Sequence, residues 1–268
     1  MFLMSGMRDE IRRLIDTAIE LAEGGDTQGA ELALKKALEI DPNDPSAHFG
    51  LGFLLSQLGR LEHAEREYRD AIRLDSSVAH FHYKMAELLQ RQRKYPEARR
   101  FYSEAIRLSP DQAAYHHGLG MVLFELGEFE EAERAYRRSL ECDSVFAEGF
   151  CGHGLVLEKL NQESEAENAY RRAVYLRTSF VDARINLAGL LFDLGRRQEA
   201  ETEINACEPR TGNSYVNLAI LLRKLGREEE AKTHLQEALR LDPSDLRALA
   251  ILQDMLTAQY AQKRKSPK

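Results

Sequence analysis

The sequence predicts an all-α fold in which one helical hairpin is repeated about seven times, and three observations support this prediction. Apolar residues recur three or four positions apart in paired segments, as Leu119, Val122, Leu123 and Leu126 do before Gly127. A glycine, which readily takes the left-handed conformation at a helix C-terminus, stands between the two segments of the pair. This marker glycine then recurs at a fixed step along the chain.

Seven copies of the marker can be aligned, and further markers keep step with it. The first six copies are 34 residues apart and the last follows after 31: Gly25, Gly59, Arg93, Gly127, Asn161, Gly195 and Gly226. Five residues beyond each is an alanine: Ala30, Ala64, Ala98, Ala132, Ala166, Ala200 and Ala231. Four residues further is a large side chain: Leu34, Tyr68, Tyr102, Tyr136, Tyr170, Ile204 and Leu235. Independent markers in the same register predict one architecture throughout.

The elements follow in order from this register. The first hairpin, residues 8–44, is the least typical, as expected of a terminal repeat whose outer face meets water. Repeats two to seven are expected at residues 45–78, 79–112, 113–146, 147–180, 181–211 and 212–245. The second helix of repeat six should end early, near Asn205, because Pro209 cannot continue it. A capping helix is expected over residues 245–262, followed by a basic disordered tail over 263–268.

These residues resemble the tetratricopeptide repeat family. The likeness rests on the repeat length, the inter-helix glycine, the spaced alanines, and prolines at the repeat ends such as Pro42, Pro110 and Pro243. The resemblance implies a single right-handed α-solenoid over residues 1–262, whose first helices line a concave binding surface. It implies nothing so specific about function, because the family serves many unrelated tasks.

Composition and charge narrow the classes of function. The net charge of −7 argues against general nucleic-acid binding, which needs a positive excess. Cys142, Cys151 and Cys207 lack metal-ligand spacing and are expected to be free thiols. We find no apolar run long enough for a signal peptide or a membrane span, so we predict a cytoplasmic protein without direct membrane insertion.

The sequence offers no pattern for catalysis, a metal or another cofactor. His48, His82 and His116 recur at the fourth position of their repeats, but equivalent positions of stacked helices lie about 10 Å apart, too far to share one ion. No nucleophile, base and acid stand apart from the helical pattern. We therefore predict a protein that is not an enzyme.

The resemblance also implies which positions line the concave wall: two, five, six, nine and twelve, counted from Ile11, Pro45, Ala79, Ala113, Ala147, Val181 and Gly212. Those positions carry an unusually apolar set, with two asparagines and a basic residue in the last repeats. The candidate ligand-binding residues are Phe49, Phe53, Tyr83, His117, Met121, Phe124, Leu155, Ile185, Asn186, Phe192, Asn217 and Arg223. An equal alternative is that positions five and nine partly pack against the preceding repeat.

Position six supports two further interpretations. Gly50, Gly118 and Gly152 lie within helices, where a glycine costs about 1 kcal/mol relative to alanine. They would make room either for a ligand or for a bulky neighbouring side chain. Asn186 and Asn217 resemble the asparagine ladder of peptide-binding family members, in which the amide pairs with the ligand backbone.

We interpret the sequence as that of a scaffold that binds a protein or peptide partner in its groove. Two alternatives remain open: a structural protein that forms a homo-oligomer through its terminal repeats, and a regulatory subunit of a separately encoded enzyme.

Overall fold

The computed structural model describes the backbone of residues 2–265 and the side chains of residues 6–257. This part of the chain forms fifteen α-helices and no strand. The first helices of the hairpins, called A helices here, are α1 (Phe2–Glu23), α3 (Pro45–Gln57), α5 (Ala79–Arg91), α7 (Ala113–Glu125), α9 (Ala147–Lys159), α11 (Val181–Asp193) and α13 (Gly212–Lys224). The second helices, called B helices, are α2 (Thr27–Ile40), α4 (Leu61–Leu74), α6 (Tyr95–Leu108), α8 (Phe129–Cys142), α10 (Glu163–Leu176), α12 (Arg197–Asn205) and α14 (Glu228–Leu241). The terminal helix is α15 (Leu246–Lys265).

The all-α repeat fold is therefore confirmed, with helix starts close to those predicted. Helices α3, α5, α7, α9, α11 and α13 begin at the predicted first residues of their repeats. Helix α12 spans 9 residues, whereas every other B helix spans 14. It ends at Asn205, as predicted from Pro209. Helix α1 begins before the predicted Arg8.

The chain divides into two compact units, Met1–Ser144 and Val145–Lys268. In unit 1 each B helix packs on its own A helix, α2, α4 and α6 also pack on the A helix that follows, and successive A helices contact one another. In unit 2 each B helix likewise packs on its own A helix, α10 also packs on α11 and α14 on α15, and α11 contacts both α12 and α13. That all seven hairpins form one continuous array stays a prediction.

The markers found in the sequence form the core. All seven marker alanines, from Ala30 to Ala231, are completely buried between helices. The large residues that follow them, including Tyr68, Tyr102 and Tyr170, are at most 5% exposed. Small residues let the helices approach closely while the aromatic rings fill the space between hairpins. This shared core leaves the outer faces of the A and B helices as the surfaces of each unit.

The turns between paired helices keep the glycine geometry even where glycine is absent. The five marker glycines have φ between 74° and 86°. Arg93 and Asn161, which replace it, both have φ of 58°. The hairpin therefore forces a left-handed residue at this place whatever the side chain.

Ion pairs join consecutive hairpins at one repeated place on the B-helix side. The partners are a residue just after the marker alanine and the residue that precedes the next B helix. The pairs are Glu31–Arg60 at 2.7 Å, Glu65–Lys94 at 2.9 Å, Arg99–Glu128 at 2.7 Å and Glu167–Arg196 at 2.7 Å. In the pair Arg99–Glu128 the base follows the marker alanine and the acid precedes the next B helix, the reverse of the other three pairs.

Candidate functional site

The surface formed by the A helices carries exposed apolar side chains at repeat position nine. In unit 1, Ile19, Phe53 and Met121 are 53%, 42% and 40% exposed. In unit 2, Leu155 and Ile220 are 36% and 40% exposed. We call these two surfaces the A faces of unit 1 and unit 2. A series of large apolar residues left in water on one face is typical of an interaction surface.

Position five serves packing more than recognition. Phe49 stacks on Phe81 of the next A helix, with ring centroids 4.7 Å apart. Tyr83 stacks on Tyr115 at the same distance. These side chains are only partly exposed because the adjacent hairpin covers one side of each ring. Position five therefore packs between repeats, but these stacked rings lie against the following hairpin and not the preceding one named in the alternative.

A charged group lies among these rings in unit 1. The Lys84 ammonium is 2.7 Å from the Glu87 carboxylate and lies over the Tyr83 ring at 4.9 Å and the Phe53 ring at 5.9 Å. The Tyr83 hydroxyl donates to the other Glu87 oxygen at 2.7 Å. Burial raises the pKa of Tyr83, so this phenol stays protonated. Both charges on this part of the face are thus neutralised internally.

The other unit 1 candidates are half-buried. The Phe124 ring meets Phe129 edge to face at 5.5 Å. His117 lies edge to face against Tyr136, with ring centroids 5.6 Å apart. Phe124 and His117 therefore combine structural packing with partial exposure, whereas Met121 projects further into water.

In unit 2 the candidates separate into buried and accessible groups. Ile185 is 7% exposed and belongs to the hydrophobic core, so its prediction as a groove residue is corrected. Phe192 is partly buried, with Arg197 at 5.3 Å and Lys224 at 5.9 Å over its ring. Arg223 is partly exposed near the end of α13.

The two asparagines make contacts within the protein that leave their amide oxygens available. Asn217 donates from Nδ2 to the Asp182 carboxylate at 3.4 Å. Asn186 donates from Nδ2 to the sulfur of Cys151 at 3.5 Å. Burial raises the pKa of Cys151 to about 12, so its thiol stays protonated and is a weak nucleophile. Each amide oxygen can still accept a hydrogen bond, as the ladder interpretation requires.

Glu158 is a feature of the unit 2 face that the sequence reasoning did not select. It lies at position twelve of α9, and its carboxylate accepts a hydrogen bond from the Tyr170 hydroxyl. Burial raises the pKa of Glu158 above its ordinary value. Position twelve carries a neutral residue in most repeats. The carboxylate at this position in α9 is the sequence signal that could have identified Glu158.

The glycines at position six make room for the protein itself. A Cβ added to Gly118 would lie 2.3 Å from the Tyr102 ring, and one added to Gly50 would lie 2.9 Å from Leu34. Both neighbours come from the preceding B helix. Of the two interpretations, the structure supports space for a neighbouring side chain.

The recurring position-four side chains fasten the loops between repeats. Each donates a hydrogen bond to a backbone carbonyl six residues earlier. The pairs are His48 to Pro42 at 3.0 Å, His82 to Ser76 at 3.1 Å, His116 to Pro110 at 2.7 Å and Arg184 to Thr178 at 3.0 Å. No cluster of potential metal ligands occurs among the described side chains.

The described helices include none with the length and apolar character needed to cross a bilayer. The three cysteines are free thiols, as predicted. What the geometry defines is a protein of stacked helical hairpins with two A faces open to solvent.

Comparison with known proteins assigns the family. Tetratricopeptide repeat profiles match residues 21–88, 77–144, 147–180, 181–205 and 212–245. The chain belongs to the tetratricopeptide repeat family. No curated protein sequence matches the chain significantly.

Solved structures share the fold at low sequence identity. A tetratricopeptide repeat protein from Parabacteroides merdae ATCC 43184 is 19% identical, with a TM-score of 0.78 over 92% of this chain and 99% of that one. PilW, a type IV pilus biogenesis factor, is 19% identical with a TM-score of 0.68 over 84% and 98%. YrrB, described as having an unusual peptide-binding site, is 21% identical with a TM-score of 0.55 over 82% and 97%.

Proposed function

We propose that this protein is a non-catalytic interaction scaffold that binds a segment of a partner protein against its A faces. The observation that carries the proposal is the repeated exposure of apolar side chains at position nine, from Ile19 to Ile220. Fully burying such a side chain contributes about 1.5–3 kcal/mol, and because these are already partly buried, covering each contributes roughly half of that, so several contacts together give useful affinity. The peptide-binding site named for YrrB is consistent with this use of the fold.

The spacing of these side chains suits a helix or an extended segment. Stacked A helices present position nine at intervals on the order of 10 Å. A partner segment that crosses several helices of one unit would contact an apolar position-nine residue in most repeats; Glu87 and Gly189 occupy this position in the other two. Because the hairpins are already formed, the scaffold would lose little conformational entropy on binding.

Site-specific photo-crosslinking tests this proposal. A photoreactive phenylalanine analogue placed at Phe53 should crosslink a partner in cell extract, and mass spectrometry should identify the same partner from Met121. The matched control is Leu32, which is 56% exposed but lies on a B helix. Equal labelling from Leu32 and Phe53 would contradict preferential binding to the A face.

The crosslinked partner should then bind the purified protein directly. Phe53→Ser should weaken this binding while leaving helix content unchanged, because Phe53 is already 42% exposed. Phe124 is a poorer choice, since its contact with Phe129 gives it a structural role as well. Unchanged affinity in both Phe53→Ser and Met121→Ser would refute the proposal for unit 1.

The terminal helix supports self-association as a second candidate function. Leu246, Leu249 and Leu256 of α15 are 80%, 42% and 38% exposed. In a homo-oligomer these leucines would pack against a second copy. Light scattering across a concentration series should show a rising mass that Leu249→Glu abolishes; a constant monomer mass would exclude this candidate.

A further inference from the structure

The Glu158 carboxylate on the A face of unit 2 forms no ion pair with a described residue, although Lys159 and Lys224 are near enough to lower its pKa. Its hydrogen-bond partner is the neutral Tyr170 hydroxyl, and no described lysine, arginine or histidine forms an ion pair with it. Lys224 on α13 is instead bound to Asp193, with 2.6 Å between the ammonium and a carboxylate oxygen. Burial outweighs the attraction of these lysines, so the negative charge of Glu158 is partly desolvated without a directly paired cation, an arrangement that costs stability.

The fold itself does not need this charge. Two repeats earlier, Gln90 occupies the equivalent place and accepts a hydrogen bond from the Tyr102 hydroxyl at 2.8 Å. A neutral amide oxygen thus satisfies the same tyrosine in the same packing. The hydrogen bond to the tyrosine therefore does not explain why the repeat that contains Glu158 has a carboxylate at this position.

Unit 1 offers a comparison, because an acidic residue on its A face is paired with a cation of the protein. Glu87 also accepts a hydrogen bond from a tyrosine, but the Lys84 ammonium lies 2.7 Å from its second oxygen. Glu158 lacks such a lysine. Perturbed and unpaired acids on an open surface are candidates for ligand contacts.

Other groups on the A face of unit 2 favour a donor-rich ligand. Leu155 lies one turn earlier on α9 and is 36% exposed, so it can contact the aliphatic part of a long side chain. The Asn217 amide donates to Asp182, which directs its oxygen away as an acceptor. Acceptors beside an apolar contact match a lysine or arginine on a peptide.

We propose that the A face of unit 2 binds its partner segment through a cationic side chain whose ammonium or guanidinium group pairs with the Glu158 carboxylate. This inference rests on the proposed function, because it names the chemistry of the partner at that surface. The partner's aliphatic stem packs on Leu155, and its backbone N–H groups can donate to the Asn186 and Asn217 oxygens. The raised pKa of Glu158 supports this assignment, since a bound cation would restore the charged form.

Selection of random peptides displayed on phage against the full-length protein tests the proposal. Peptides selected on the wild type should share a lysine or arginine at one place. Glu158→Gln should weaken their binding about tenfold or more, as loss of an ordinary charged hydrogen bond does. It should preserve the fold, because a glutamine already fills this role at Gln90.

A control separates local pairing from overall charge. Glu165→Gln makes the same charge change on the exposed side of α10 and should leave peptide affinity unchanged. Replacing the peptide lysine by norleucine should weaken binding to the wild type but not further weaken binding to Glu158→Gln. Additive losses in this double-mutant cycle would overturn the pairing.

The outcomes distinguish this inference from the proposed function. If Leu155→Ser abolishes binding while Glu158→Gln has no effect, the A face binds peptides but the cation assignment is wrong. Selected peptides that lack a shared cation would refute the assignment in the same way. If neither substitution changes binding, or no peptide is enriched, both the inference and the proposed use of the unit 2 face fail.

Discussion

Replacing Arg93 by glycine should stabilise the protein. Arg93 stands in the turn between α5 and α6 with φ of 58°. Its backbone N–H donates to the Gln90 carbonyl at 2.9 Å, and the next residue donates to the Leu89 carbonyl at 2.9 Å. These bonds close the end of α5 and require the left-handed conformation. The Arg93 side chain is exposed, so its removal loses no buried contact.

The expected gain follows from two opposing effects. A residue with a Cβ pays about 1–2 kcal/mol in the left-handed region, and glycine avoids this cost. Glycine in turn gives the unfolded chain more freedom, which offsets about 0.5–1 kcal/mol. The net increase in the free energy of unfolding should be about 0.5–1 kcal/mol.

Urea unfolding followed by far-UV circular dichroism measures this difference. The midpoint should rise with an unchanged slope. Arg93→Ala keeps the Cβ and should give no gain, which separates conformation from loss of the side chain. Asn161→Gly should gain less, because asparagine tolerates φ of 58° better than arginine does. A neutral or lower midpoint for Arg93→Gly would refute the reasoning.

Three further predictions concern packing and charge. Gly118→Ala should destabilise the protein by about 1–3 kcal/mol, measured by urea unfolding, because its Cβ would overlap the Tyr102 ring. Arg99→Glu should cost up to about 1 kcal/mol, and adding Glu128→Arg should restore most of it in a thermal double-mutant cycle. Glu158→Gln should flatten the pH dependence of stability. Because the pKa of Glu158 is raised in the folded protein, its protonated form stabilises the wild type below the ordinary value of 4.5. This contribution is lost as pH rises through the folded pKa.

Each of these predictions has a specific contrary result. Gly118→Ala that is as stable as the wild type would mean that the Tyr102 ring moves freely and that helix propensity decides the outcome. Failure of Glu128→Arg to compensate would show that Arg99 acts through something other than their ion pair. If the Glu158→Gln and wild-type stability curves run parallel as pH rises from the ordinary value of 4.5, the pKa of Glu158 is not raised by burial.

The helical pattern was predictable because short-range sequence rules determine it. Apolar spacing and the marker glycine located the helices, and Pro209 predicted the early end of α12. Spacing alone aligned Arg93 and Asn161 with the marker glycine, and in the structure both residues are left-handed. These features depend on residues within one turn or one hairpin.

The candidate site was less predictable because exposure depends on neighbouring hairpins. Ile185 and Phe49 share repeat position five, yet Ile185 is buried in the core whereas Phe49 stays partly exposed beside Phe81. Glu158 was passed over because the significance of a carboxylate depends on which cations reach it. Spacing identifies the face of a helix but not the depth or the partners of each side chain.

The contacts of the position-six glycines bear on how such a chain can change in length. Tyr102 fills the space at Gly118 and Leu34 fills the space at Gly50, so at these two places a hairpin is matched to the one after it. Loss of residues 79–112 would bring Tyr68 against Gly118, so a tyrosine ring would again lie against this glycine. Loss of residues 45–78 would instead bring Leu34 against Lys84. Leu34 now lies against Gly50, which has no side chain, so the lysine would occupy the space that Leu34 fills. We therefore expect deletion or duplication of a hairpin to be tolerated only where the two residues that become neighbours fit together. The order of the repeats is thus constrained by the packing between adjacent copies.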